Sequence, residues 1–311
     1  MIGKQKRMDL LTVIILTYNE ERHIARCLKA LVGVACRVVI VDSYSSDRTI
    51  EVARSLGATV LENKFINYAV QFQWALDNGA IETPWVMRLD ADELIEPDLA
   101  AEISRRLPNL GPDIAGVNLK RKHIFMDRWV RHGGRYPLLL LRIWRHGQGR
   151  IENRWMDEHM VVWGGKTVTF EGGFSDHNLN DLTFFTDKHN KYATREAIDV
   201  LIRKYDLLPL DEDLTRGSAS QQAAVKRWIK ERIYNRMPFW LGPLGYFLYR
   251  YIIQFGFMDG QAGLIYHLLQ GGWYRFLVGA KIVEYDRLLV SLADDESRIL
   301  ELERVTGHKL R

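Results

Sequence analysis

The densest chemistry in this 311-residue chain is Asp90-Ala91-Asp92-Glu93, which directly follows the apolar stretch Trp85-Val86-Met87-Arg88-Leu89. In an extended segment alternate side chains share a face, so Asp90 and Asp92 are expected to point the same way. Two carboxylates so placed repel one another unless a cation stands between them, and a divalent Mg2+ or Mn2+ is the natural partner. An ion held there would bridge a diphosphate and stabilise charge on a departing nucleotide. A second acidic pair, Asp157-Glu158, is flanked by Trp155 and Met156, whose apolar bulk can raise a carboxyl pKa.

These residues need elements to position them. Leu11 to Leu16 reads as a buried strand, Glu20 to Leu31 as a helix, Val38 to Val41 as a second strand. Ser46 or Asp47 is a cap for a helix running through Leu56 and ended by Gly57. Thr59 to Leu61 is a third strand, Ala69 to Gly79 a helix, and Trp85 to Leu89 a fourth strand. Strand and helix alternating at this spacing predict an α/β fold with a parallel sheet covered by helices. Ligands in such sheets lie beyond the carboxyl ends of the strands. Three strand ends are polar: Tyr18-Asn19-Glu20, Asp42-Ser43 and Asp90 to Glu93. Further strands are expected over Ile114 to Leu119, Leu138 to Trp144, Met160 to Trp163 and Thr167 to Phe170, and helix from Leu182 onward.

Three segments, Val13-Ile14-Ile15-Leu16-Thr17-Tyr18-Asn19-Glu20-Glu21, Val41-Asp42-Ser43-x-Ser45-x-Asp47-x-Thr49 and Leu89-Asp90-Ala91-Asp92-Glu93, together resemble glycosyltransferase family 2, with its GT-A fold. The similarity is to the branch of lipopolysaccharide core β-1,4-glucosyltransferases. It continues through Trp155-Met156-Asp157-Glu158, Asp176-His177, Lys188-x-Asn190-x-Tyr192 and Gly256-Phe257-Met258-Asp259-Gly260-x-x-Gly263, covering about residues 10 to 285. Asp157 replaces that branch's usual His, and Asn178-Leu179 its Tyr-Ser.

The resemblance implies that Thr17, Tyr18 and Glu20 line the nucleotide base and ribose and that Asp42 hydrogen-bonds the base. It implies Asp90 near ribose and metal, Asp92 on the metal and diphosphate, and His177 near the metal, where a neutral imidazole can ligate. Arg88 is placed to meet a phosphate. Inverting transfer needs a carboxylate that takes the acceptor's proton; the metal carboxylates are occupied, which points to the later pair Asp157-Glu158, and within it the resemblance implies Glu158 as the base, with Asp157 in reserve. Lys188, Asn190 and Tyr192 are expected to contact diphosphate or acceptor from one helix face.

Lys+Arg 43 against Asp+Glu 39 gives a net charge of only +4, but the excess is localised. Residues 120–154 hold ten Lys/Arg and two acids, and residues 226–281 eight against two. The second block interleaves with aromatics, and its uncharged runs, 237–249 and 260–274, fall short of the roughly 18 residues of a spanning helix. Such a pattern suits helices lying in a membrane interface, and anionic lipid or a lipid-linked diphosphate acceptor would account for both blocks. The expected organisation is a tail over 1–9, a catalytic domain over 10–180, a helical connector over 181–225 and a membrane-associating region over 226–311, with contact through 226–285. Two cysteines, Cys27 and Cys36, are too few for a disulfide framework, and the N-terminal apolar run reads as a strand rather than an export signal.

The expected protein is therefore a metal-dependent hexosyltransferase that uses a UDP-sugar, with glucose the first candidate. It would sit peripherally on the cytoplasmic face of the plasma membrane and act on an envelope glycan or lipid-linked saccharide. Two other readings are a nucleotidyltransferase, which lacks here its glycine-rich phosphate loop, and a non-catalytic membrane scaffold. No recognised nucleic-acid motif accompanies the basic residues, so no nucleic-acid partner is expected.

Overall fold

The computed structural model of the protein describes residues 9–152, 160–208 and 240–310. These fall into two compact units divided between Leu179 and Asn180. The first is built on a nine-stranded mixed sheet. Strands β1 (Leu11–Thr17), β2 (Arg37–Asp42), β3 (Thr59–Glu62) and β4 (Trp85–Arg88) run parallel in the order β3-β2-β1-β4. They are joined by α1 (Ile24–Ala30), α2 (Thr49–Ser55) and α3 (Tyr68–Asn78).

The sequence of β1 shows why both faces are covered. Leu11, Val13 and Ile15 pack on one side with Ile24 and Leu28 of α1. Ile14, between them, packs on the other with Ala69 and Phe72 of α3. A strand apolar on both faces is the signature of a sheet sandwiched between helices. The helix expected from Glu20 begins at Ile24, because the His23 and Ile24 amides both turn back onto the Glu20 carbonyl at 2.9 Å.

Beyond β4 the sheet continues through β8 (Leu138–Arg145), β6 (Ile114–Phe125), β11 (Lys166–His177) and β5 (Glu93–Ile95). Here β4–β8, β8–β6 and β11–β5 are antiparallel and β6–β11 is parallel. Strand β7 (Arg128–Val130) returns on β6 through Met126 and Asp127, whose φ values of 50° and 58° suit a two-residue primed turn. Strands β9 (Gly149–Ile151) and β10 (Met160–Val162) form a separate ribbon. Helix α4 (Pro97–Arg106) starts with proline, which the first helical turn accepts, and buries Leu99 and Ile103.

The acidic run is not extended, as its sequence spacing implied. Strand β4 ends at Arg88, and the Glu93 amide donates to the Asp90 carbonyl at 3.0 Å, closing a turn into β5. Alternation therefore does not govern Asp90 and Asp92.

The second unit is helical. Its long helix α5 (Leu182–Tyr205) is capped by Asp181, which accepts from the Phe184 amide at 2.8 Å. Four further α-helices follow among the described residues: α6 (Leu241–Leu248), α7 (Gly260–Tyr266), α8 (Tyr274–Leu289) and α9 (Asp295–Thr306). Ala197, Ile198 and Leu201 of α5 share a core with Leu289 of α8 and Leu302 of α9. Glu196 receives the Tyr274 hydroxyl at 2.5 Å and Arg275 at 3.0 Å, and Lys204 meets Asp286 at 2.6 Å. Tyr249–Ile253 and His267–Trp273 are wound as π-helix. No described helix is long and apolar enough to cross a membrane.

Candidate functional site

Strands β1 and β2 run in register, Thr17 beside Asp42, so their polar ends emerge together. Asp42 is completely buried, and its carboxylate accepts from the Thr17 hydroxyl at 2.7 Å and from the Ser45 amide and hydroxyl at 2.6 Å each. Asp42, expected to meet a base, holds Thr17 and Ser45 in place through these bonds. The loops on either side are laced together. The Asn19 amide donates to Ser45 Oγ at 2.8 Å, the Ser46 amide to Asn19 Oδ1 at 2.9 Å, the Glu20 amide to Thr49 Oγ1 at 2.7 Å and the Glu21 amide to Asp47 at 3.2 Å. Thr17 is buried with Asp42, whereas Tyr18 stands exposed above it.

The turn after β4 carries the other charges. Asp90 accepts from the Tyr68 hydroxyl at 2.8 Å, with Arg88 Nε at 3.9 Å and an Arg142 nitrogen at 3.7 Å. The Arg88 guanidinium lies over the Tyr68 ring, 4.2 Å from its centroid. Asp92 accepts from the Asn178 side chain at 2.9 Å, and its carbonyl accepts from the His177 amide at 3.0 Å. The end of β11 is thus fastened to the acidic turn.

It is fastened to the β1–α1 turn as well. Arg26 donates to the His177 carbonyl. His23 is buried, and its Nε2 accepts from the Leu179 amide at 2.9 Å. That leaves the proton on Nδ1, which donates to Glu20 Oε2 at 2.6 Å. The His177 imidazole pairs with Asp127 at 3.0 Å.

Beneath the turn lies a buried ion pair. Arg142, only 4% exposed, meets the Glu93 carboxylate at 2.5 Å. Burial pushes the Glu93 carboxyl above its ordinary value, against the opposing pull of Arg142. Cys27 packs under the same turn. Burial first, then the nearby carboxylates of Glu93, Asp92 and Asp90, drives its thiol far upward, so it stays protonated and unreactive.

The structure therefore brings together Thr17, Tyr18, Glu20 and Asp42 on one side, and Arg88, Asp90 and Asp92 on the other, within one unit. Among the described residues no group of three or more His, Cys, Asp or Glu is arranged to hold a metal. Asp157 and Glu158, with Trp155 and Met156, lie outside the described residues. Lys188, Asn190 and Tyr192 belong to the helical unit. Lys188 sits 5.8 Å from the Tyr192 ring on one face of α5, but Asn190, two residues along, cannot share that face.

Sequence reasoning missed Tyr68, Arg142, His23 and Asn178. Arg142 had a signal: it is the one charge inside Leu138-Leu139-Leu140-Leu141-Arg142-Ile143-Trp144, and a charge on a buried strand demands a partner. Tyr68 and Asn178 had none, because their partners Asp90 and Asp92 lie far away in sequence, and His23, though three residues from Glu20, meets its second partner only through Leu179.

Comparison with known proteins places these features in a family. The profile described as "Glycosyl transferase family 2" matches residues 12–176. The lipopolysaccharide core biosynthesis glycosyltransferase LpsC of Rhizobium meliloti is 26% identical over 287 residues, covering 88% of this chain and 92% of that protein. An uncharacterized glycosyltransferase of Rickettsia typhi is 33% identical over 96 residues, which is 31% of this chain and 32% of that one. The match thus spans about a third of the Rickettsia relative's length. Among solved structures, glucosyl-3-phosphoglycerate synthase from Mycobacterium tuberculosis, in complex with Mn2+, UDP and glucosyl-3-phosphoglycerate, is 18% identical over 37% of this chain and 44% of that one. Its TM-score is 0.30.

Proposed function

Because the chain belongs to glycosyltransferase family 2, we propose that it transfers a hexose from a UDP-sugar, with inversion and with the help of a divalent metal. Glucose is the first candidate for that hexose. The observation that carries this reading is the convergence of three polar strand ends, Thr17 to Glu21, Asp42 to Thr49 and Asp90 to Glu93, on one edge of one sheet. That edge is where parallel α/β sheets take ligands. Thr17, Tyr18 and Glu20 would line base and ribose, with Asp42 setting the shape of their wall. Arg88, Asp90 and Asp92 would face the ribose and diphosphate.

The donors at the turn suit Mg2+ or Mn2+. They are carboxylate oxygens, and a hard divalent ion takes one or two such ligands together with substrate phosphates and water rather than a closed protein cage. Asp92 would hold the ion, with its second oxygen oriented by Asn178. Asp90 is already balanced by Tyr68 and two arginines and is better suited to the ribose side. His177 is engaged by Asp127 and is a weaker candidate ligand. The bound metal would neutralise charge on the leaving diphosphate.

Glu158 is proposed as the base that removes the acceptor hydroxyl's proton, with Asp157 as the alternative. Likeness to LpsC along most of the chain supports an acceptor of the cell-envelope saccharide class. Twelve exposed large apolar side chains between Trp240 and Leu268, among them Ile252, Ile253, Phe255, Phe257 and Met258, support peripheral contact with the cytoplasmic face of the plasma membrane. A thermal-shift panel of UDP-, GDP-, dTDP- and CMP-sugars, with and without Mn2+, tests the donor. Stabilisation by a UDP-hexose with Mn2+ is expected, and stabilisation by a non-uridine nucleotide alone would overturn the assignment.

A further inference from the structure

Tyr44 occupies an unusual place in the loop that leaves β2. Its side chain is 59% exposed, and its φ is +62°. That is the left-handed region, which a bulky residue enters only when its surroundings impose it. They do so here from both sides. Before it, the Ser43 amide donates to the Thr17 carbonyl at 2.9 Å. After it, Ser45 is held by Asp42 through both amide and hydroxyl, and Ser45 and Ser46 are locked to Asn19.

A glycine would make this turn without steric conflict, and an exposed ring adds nothing to the core. The needs of the fold therefore do not account for a tyrosine. Its location does. Tyr18, 60% exposed, leaves the neighbouring strand, and the pairing of Thr17 with Asp42 sets the two strand ends side by side, about 4.8 Å apart. Two exposed aromatics thus rise from adjacent strand ends at the ligand-binding edge of the sheet. Flat rings at such a position suit another flat ring, because every nucleobase presents a π-face.

We propose that Tyr44 is a binding residue for the donor's nucleobase, packing its ring on the base in concert with Tyr18, and that the strained loop is kept to present it. This rests on the nucleotide-sugar reading above and goes beyond it by naming the group that recognises the base. Tyr44 touches neither the diphosphate nor the metal in this account. Its loss should therefore weaken nucleoside recognition and spare the phosphate end.

Calorimetric titration of the full chain in Mn2+ tests this, with UDP and inorganic pyrophosphate as separate ligands. Tyr44→Gly should lower UDP affinity roughly tenfold, the scale of base–aromatic stacking, leave pyrophosphate affinity unchanged, and keep or raise Tm because strain is relieved. Tyr44→Asn, which tolerates the left-handed region but has no ring, should behave alike and controls for loop loosening by glycine. Tyr44→Phe should retain wild-type UDP affinity. Equal UDP affinity in wild type and both ringless variants overturns the proposal, as does parallel loss of UDP and pyrophosphate. A wild-type chain that binds pyrophosphate but not UDP refutes the donor reading itself, and this proposal with it.

Discussion

Arg142 brings a full charge into an apolar strand, and its consequences are set by what surrounds it. Glu93 lies 2.5 Å away and Asp90 3.7 Å, whereas its Nε and Nη1 have no hydrogen-bond partner among the described residues. A buried pair of this kind contributes little net stability while intact, but removing one member strands the other. Arg142→Met should cost about 3–5 kcal/mol in urea denaturation, and adding Glu93→Gln should recover part of it. An unchanged midpoint for the single variant would show that Glu93 is not held as described. For the chemistry, Glu158→Gln should abolish transfer while UDP-sugar binding survives in a direct titration; retained turnover would move the base to Asp157 or elsewhere. The lone arginine was legible in the sequence as a charge needing company. Its partner was not, because Glu93 is 49 positions away and reaches it only through the turn after β4. Asp42 was legible as a polar strand end; that its buried oxygens hold Thr17 and Ser45 in position was not.

Among the elements, the segment Gly256-Phe257-Met258-Asp259-Gly260-x-x-Gly263 shows a motif acting through backbone geometry. A Cβ at Gly256 would fall 2.7 Å from the His267 ring, and one at Gly263 would fall 2.6 Å from the Asp259 side chain. Gly260 has φ 67° and ψ −149°, a combination essentially confined to glycine. Gly260→Ala should therefore lower stability by about 1–3 kcal/mol and leave UDP binding intact, as read by thermal melting and titration. A neutral effect on melting would mean the turn relaxes freely. Strands β1 and β2 could be read from sequence because their apolar runs need burial on both faces. The turn at Asp90 could not, since its closure depends on Glu93 folding back onto the Asp90 amide at 2.9 Å. Nor could short β5, whose pairing to β11 depends on residues more than seventy positions on.

At the scale of the whole molecule, several cations of the two basic blocks are spent on partners among the described residues. In the first basic block Lys120 pairs with Glu171, Arg121 with Asp176, Lys122 with Glu96 and Arg142 with Glu93, all acids outside the block. Arg145 is spent on backbone carbonyls of Leu110, Gly111 and Ile114. In the second, Arg250 is buried and bonded to Gln270, and Arg275 pairs with Glu196. The proposed membrane contact therefore leans on exposed apolar side chains more than on these paired cations; Lys226, Arg227, Lys230, Arg232 and Arg236 lie outside the described residues. Full-length protein should co-sediment with vesicles of phosphatidylethanolamine and phosphatidylglycerol, and Ile253→Glu with Phe257→Glu should leave it in the supernatant with UDP binding unchanged. Equal sedimentation of the variant would remove this face as the contact.

The acidic turn is the proposed metal–nucleotide centre on which donor binding depends. Calorimetry of UDP-glucose binding, with Mn2+ and with EDTA, on the wild-type chain and on Asp92→Asn addresses it directly. Binding that requires Mn2+ and is lost in Asp92→Asn, with the variant's melting unchanged, is the predicted result. Binding of equal strength in EDTA, or in Asp92→Asn with Mn2+, would contradict it.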